Sequence, residues 1–359
     1  MARTTRRTFL GAAAAVAAAS RFPTPALAAT RTVKLTLPWL AQGSSLFTYV
    51  AKTKFMPARG IELDIARGFG SVAAAQAVSA GQFDFGIVTA PPIVLSVAKG
   101  LSITSLAICD YDATMGVGVL YDSPIKTPKD LAGKKIGAVP TSGEYPFFPA
   151  YAKKVGFDMK SVELVHLDNK VIERALTEKQ VDAMMGFGSS SLPVLLSKEI
   201  PVRWMLYSAA GMRTYGQTIA TRPETLEKDP ALCEAMVDGL LEAERFTMAN
   251  PQESMEIFFK EVPEMGLNPS AKEFARIGLG MWQFQIDRPD PRGHGLGWGD
   301  SAVYDEMIDL VMNYVATPEM KRPTVDMLFT NRFTGKLKPT EAEWAAVRTR
   351  VAEFGKYLG

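Results

Sequence analysis

The stretch over residues 60–100, GIELDIARGFGSVAAAQAVSAGQFDFGIVTAPPIVLSVAKG, constrains the fold more than any other part of the chain. Ile61, Leu63 and Ile65 alternate as in a strand, Gly68-Phe69-Gly70-Ser71 makes a tight turn, and residues 72–80 carry an alanine-rich helix. A second strand follows and runs into a proline-started helix. Strand, turn, helix, strand predicts a parallel sheet. In such a sheet the loops leaving the carboxyl ends of the strands converge on one edge, so residues 68–71 and 89–92 are expected to border one crevice.

An echo of this stretch lies further along. Gln82-Phe83-Asp84-Phe85 is matched by Gln180-Val181-Asp182-Ala183, 98 positions on, and Gly60-Ile61 by Gly156-Phe157, 96 positions on. A near-constant offset is what two similarly built lobes would leave, and 359 residues suffice for two such lobes. The formal charge of +2 includes Arg3, Arg6, Arg7 and Arg21. Without these four the chain is slightly acidic, which gives no reason to expect nucleic acid.

Those arginines belong to an export leader. Thr5-Arg6-Arg7-Thr8-Phe9-Leu10 is a twin-arginine pattern, followed by an apolar run over 11–19 and the small-residue site Ala26-Leu27-Ala28. The run is too short to span a bilayer. Residues 1–28 are therefore expected to be a signal peptide, and the mature chain a soluble periplasmic monomer. Cys109 and Cys233 are expected as buried free thiols. His166 and His294 have no metal-site spacing, so neither metal nor cofactor is expected.

Taken in order, Val33, Leu35 and Leu37 alternate in a first strand, after which Trp39, Gln42 and Ser44 stand at a helix N-terminus on the ligand edge. Tyr111 lies in a connection, 110–114, between two strand-like runs. A strand over 135–139 leads through Ser142, Glu144 and Tyr145 into a helix, whose opening N–H groups would suit a polar ligand edge. Glu144 either accepts from a ligand amino group or only favours the positive end of that helix, worth a few tenths to roughly 1 kcal/mol. Phe187 sits between Gly186 and Gly188, which let the backbone approach a ligand while the ring offers a flat face. Tyr215 precedes a strand that returns the chain to the first lobe. The division expected is lobe 1 over 29–117, lobe 2 over 118–215, and lobe 1 again over 216–359, ending in helices. Residues 287–299 form an irregular glycine-rich loop, placed either over the cleft or on the surface.

The export leader, the 68–71 turn, Ala80-Gly81-Gln82-Phe83-Asp84-Phe85-Gly86, the TPKDLAGKKIG segment over 127–137 and the 180–183 echo together resemble periplasmic solute-binding proteins of ABC importers. The likeness covers about residues 30–260 and is to the type II branch, with its sulfonate, taurine, nitrate and thiamine-pyrimidine-precursor receptors. It implies an α/β fold of two lobes closing on a small molecule, with extra C-terminal helices on the first, and a membrane permease as partner. Catalysis is not required for that. A synthase relative in the branch carries a cysteine-rich motif and a catalytic histidine; Cys109 and Cys233 stand 124 residues apart, which argues against that activity.

Placement after strands gives the candidate ligand-binding set: Trp39, Gln42, Ser44, Gly70, Ser71, Thr89, Tyr111, Ser142, Glu144, Tyr145, Phe187 and Tyr215. It is aromatic and polar, with Arg213 the one obvious cation nearby. A heterocyclic or aromatic ligand, with a pyrimidine-like one among the candidates, fits this set better than a sulfonate, carboxylate or nitrate, which would call for an arginine or several converging donors.

Overall fold

The computed structural model describes residues 30–267 and 269–358. The expected leader over 1–28 lies outside the described residues.

Ten strands occur among the described residues: β1 (Arg31–Thr36), β2 (Ile61–Ala66), β3 (Phe85–Thr89), β4 (Thr104–Ile108), β5 (Met115–Leu120), β6 (Lys135–Ala138), β7 (Glu163–His166), β8 (Ala183–Phe187), β9 (Val202–Leu206) and β10 (Gln217–Thr221). They form two five-stranded sheets with orders β2-β1-β3-β10-β4 and β7-β6-β8-β5-β9. Both sheets are mixed, where the sequence predicted a parallel one. β1 with β2 and β3, and β6 with β7 and β8, run parallel; β10 and β5 run antiparallel to their neighbours. The exceptions are the two strands by which the chain enters the second sheet and returns to the first. A strand arriving that way needs no crossover helix and can pair head to tail. All of β5 belongs to the second sheet, so the division expected at 118 falls inside a strand.

The repeated Gln-x-Asp has one structural meaning in both lobes. Asp84 accepts from the Lys34 N–H of β1 at 2.9 Å, and Asp182 accepts from the Lys135 N–H of β6 at 2.9 Å. In the residue between helix and strand, each aspartate ties its own strand, the central one of its sheet, to the parallel strand beside it. Gln82 N–H donates to the Ala77 carbonyl and Gln180 N–H to Ala175, closing the preceding helices alike.

Helices cover the sheets: α1 (Leu46–Val50), α2 (Ser71–Ser79), α3 (Ala90–Ala98), α4 (Phe148–Val155), α5 (Ile172–Thr177), α6 (Gly188–Leu196), α7 (Pro230–Ala249), α8 (Pro251–Glu261), α9 (Pro269–Ile286), α10 (Ser301–Tyr314) and α11 (Glu341–Val351). β3 and α3 are buried along their whole lengths, which their unbroken apolar character requires. The C-terminal helices reach beyond the first lobe. α9 lies against both the Gly43–Ser45 turn and α6 of the second lobe, and Leu358 sits beside Gly188. In the 287–299 segment a short helix, Pro289–His294, backs the connections between sheets. Tyr215 Oη donates to Asp290 at 2.6 Å and accepts from the Asp300 N–H at 2.8 Å. Cys109 and Cys233 are both buried and unpaired.

Candidate ligand-binding site

The carboxyl ends of the parallel strands of both sheets face each other across one cavity of about 520 Å³, its mouth included. From the first lobe come Pro38, Trp39, Gln42 and Ser44 after β1, with Ser71, Thr89 and Gln217. From the second come Val139, Ser142 and Glu144 after β6, Ile172, and Met185 to Phe187 with Ser189, Ser190 and Ser191 at the β8–α6 junction.

The lobes touch at the cavity rim. The Val72 N–H donates to the Thr141 carbonyl at 3.2 Å, and Thr141 Oγ1 donates to the Phe69 carbonyl at 2.6 Å. At Gly70, whose φ is +121°, an added Cβ would lie 2.1 Å from that same Thr141 oxygen. The approach requires glycine on both counts. A Cβ on Gly143 would be 3.0 Å from both Thr89 Oγ1 and Phe187 Cζ, a contact joining the two walls.

Eight of the twelve sequence candidates therefore line one cavity: Trp39, Gln42, Ser44, Ser71, Thr89, Ser142, Glu144 and Phe187. Four do not. Gly70 is at the rim. Tyr145 turns outward, sharing a 3.0 Å hydrogen bond with His166 Nε2, because Phe147 and Phe148 take the inward positions of its turn. Tyr111 and Tyr215 pack edge to face at 5.6 Å in the connection between sheets, the Tyr215 hydroxyl already held by Asp290. Arg213 faces Glu306 at 3.9 Å on another surface. Gln217 and Ser191 escaped the sequence reading. Gln217 opens β10, and because β10 is antiparallel its first residue pairs with Thr89, the last of β3, at the ligand edge.

The lining carries one ionisable group and, among the described residues, no Lys, Arg or His. Burial pushes the Glu144 carboxyl up to about 7, outweighing the Ser142 hydroxyl that donates to it and its own backbone N–H, both of which favour the charged form. Its side chain makes no cap on the following turn. Two further buried atoms, Thr89 Oγ1 and Gln217 Oε1, have no hydrogen-bond partner among the described residues. Gln217 Nε2 is spent on the Ser44 carbonyl at 3.3 Å, leaving its oxygen as an acceptor for whatever enters. Two half-buried rings, Trp39 and Phe187, supply flat apolar surface from opposite lobes. The arrangement suits a small planar molecule with hydrogen-bonding edges.

A family model described as NMT1/THI5 like matches residues 42–254. A Brucella abortus (strain 2308) protein named as a binding protein is 27% identical over 281 residues, covering 74% of this chain and 82% of its own length. The formylaminopyrimidine-binding protein of Halalkalibacterium halodurans is 20% identical over 283 residues, covering 78% and 84%. A Legionella pneumophila protein named 4-amino-5-hydroxymethyl-2-methylpyrimidine phosphate synthase is 23% identical over 202 residues, covering 55% and 63%. Among solved structures, the alkanesulfonate-binding protein SsuA from Xanthomonas axonopodis pv. citri, bound to MOPS, is similar with a TM-score of 0.64 at 15% identity, covering 84% of this chain and 99% of that one. The nitrate-binding protein NrtA from Synechocystis PCC 6803 gives a TM-score of 0.57 at 12% identity, covering 90% and 89%. At these identities the likeness is one of fold: the chain has the two-lobed periplasmic binding protein architecture.

Proposed function

The chain belongs to the NMT1/THI5-like family, and from that premise we propose that it is the extracytoplasmic substrate-binding component of an ABC importer. In this reading it is exported through its twin-arginine leader as a monomer, closes its lobes on a heterocyclic or aromatic molecule, and delivers it to a permease. The observation that carries the reading is the cavity itself. Its walls come from two lobes already in contact at Thr141, so a ligand there bridges the lobes and favours closure.

The ligand class rests on the lining. Trp39 and Phe187 offer stacking, while Gln42, Ser44, Glu144, Thr89 and Gln217 offer hydrogen bonds without a cation. A sulfonate or nitrate would enter beside Glu144 with no opposing positive side chain, which is the weaker match. A synthase role is also the weaker one. The lining holds neither Cys nor His, and burial, with Glu244 beside it, pushes the Cys109 thiol well up, the opposite of an activated nucleophile.

Thermal unfolding of the mature chain against heterocycles, aromatic acids, sulfonates and nitrate tests this. Ligand at about 100 times its dissociation constant adds roughly 2.7 kcal/mol to the folded state. A shift from neutral nitrogen heterocycles is expected. A shift from sulfonates or nitrate alone would overturn the ligand class, and chemical conversion of any compound would overturn the receptor reading.

A further inference from the structure

Of the four serines on the second-lobe wall of the cavity, three have their hydroxyl protons committed, while Ser189 Oγ accepts from Thr114 Oγ1 at 3.4 Å and keeps its own. Ser142 Oγ donates to Glu144. Ser190 Oγ donates to the Phe187 carbonyl at 3.2 Å. Ser191 Oγ donates to Glu173 Oε1 at 2.9 Å. A hydroxyl whose single proton is spent in this way can only accept from a ligand. The first-lobe wall differs. Ser44 Oγ accepts from Gln42 Nε2 at 3.0 Å and so keeps its proton, and Thr89 Oγ1 is unpartnered.

Of the acceptors that set this polarity, Glu173 lies outside the cavity lining. It is half-buried on α5, one residue after the lining residue Ile172, and reaches the cavity only through Ser191. Ser191 is 4% exposed, so its hydroxyl has no bulk water to turn to. Burial raises the Glu173 carboxyl above its ordinary value, against the pull of its own backbone N–H, the Ser191 hydroxyl and the charge of Lys198.

Resting on the binding-protein reading, we propose that Glu173 is a positioning residue that fixes the Ser191 hydroxyl as an acceptor, so that the cavity selects ligands presenting an N–H donor toward Ser191. The role is one of selection between ligands of the same shape. A bare packing role would affect such ligands equally.

The test uses two probes of similar shape, 4-aminopyrimidine and 4-methoxypyrimidine, which exchange an amino donor for an ether-oxygen acceptor on one ring edge while both ring nitrogens stay acceptors. Dissociation constants are measured by calorimetry for the wild-type chain, Glu173→Leu, Glu173→Gln, Ser191→Ala and the Glu173→Leu/Ser191→Ala double variant. The wild type is expected to prefer the amino probe by about tenfold or more, the range a misplaced buried hydrogen bond produces. Glu173→Leu frees the serine proton and abolishes or reverses the preference. Glu173→Gln, whose amide oxygen still accepts, retains it. Ser191→Ala lowers the preference by itself, and in that background Glu173→Leu changes the ratio no further. Equal weakening of both probes by Glu173→Leu, or an effect on the ratio that persists without the Ser191 hydroxyl, would overturn the proposal while leaving the receptor reading intact. Failure of the wild type to bind either probe would overturn the heterocycle reading and this inference with it.

Discussion

Glu144 is the residue whose surroundings make the firmest solution prediction. Its folded carboxyl titrates near 7 instead of its ordinary 4.5, because burial disfavours the charged form. Between those values the folded chain binds more protons than the unfolded one, so this group's contribution makes stability fall as pH rises through about 4.5 to 7. Spread over that window, the loss is on the order of 3 kcal/mol. Melting temperatures of the ligand-free wild type and Glu144→Gln, taken from pH 5 to 8, are expected to converge at the acid end, with the wild type falling more steeply toward pH 8. Parallel curves would contradict it. The aromatic pair gives a second prediction. Replacing Trp39 or Phe187 by alanine weakens ligand binding by roughly tenfold to a hundredfold in calorimetry. Alanine at Tyr145, which faces His166, leaves affinity unchanged.

The elements around the cleft show what the sequence disclosed and what it withheld. Strand-to-helix turns after β1, β3, β6 and β8 were legible from alternation and small-residue turns, and they delivered Trp39, Thr89, Ser142 and Phe187 to one place. Local pattern could not give the rotation of a single turn. Tyr145 and Phe147 lie two residues apart in one 3₁₀ turn, and which ring goes inward is set by the apolar surface beneath. Nor could it show that Tyr215 would be captured by Asp290, 75 residues on. Gln217 was hidden by the assumption of a parallel sheet, in which a strand's first residue lies far from the ligand edge. α9 was legible as a helix, but its contact with both lobes was not. At Gly43 an added Cβ would stand 2.1 Å from the Ala275 carbonyl and 2.3 Å from the Leu279 nitrogen. Gly43→Ala is therefore expected to push α9 off the turn that carries Ser44, at a cost of about 1–3 kcal/mol in denaturant unfolding, together with weaker ligand binding. An unchanged midpoint would mean that α9 does not brace the site.

For the whole molecule, the described arrangement is a closed one, with hydrogen bonds running across the rim and glycine where the lobes come nearest. Gly70→Ala puts a methyl group into the Thr141 carbonyl and asks an L residue to hold φ +121°. It is expected to keep the lobes apart, lowering ligand affinity at least about tenfold, while the ligand-free chain loses no more than about 1–3 kcal/mol. Small-angle scattering with ligand checks this through a radius of gyration that stays at the open value; full compaction would contradict it. The two-lobe plan itself was readable because Asp84 and Asp182 perform the same task in each sheet, leaving their spacing in the sequence.

Ligand identity is tested most directly by equilibrium dialysis of residues 29–359 against a mixture of nitrogen heterocycles, sulfonates and nitrate, with retained compounds identified by mass spectrometry. A heterocycle bearing an N–H donor is expected to be retained, unaltered and at one per chain. Retention of sulfonate or nitrate alone, or recovery of an altered compound, would contradict it.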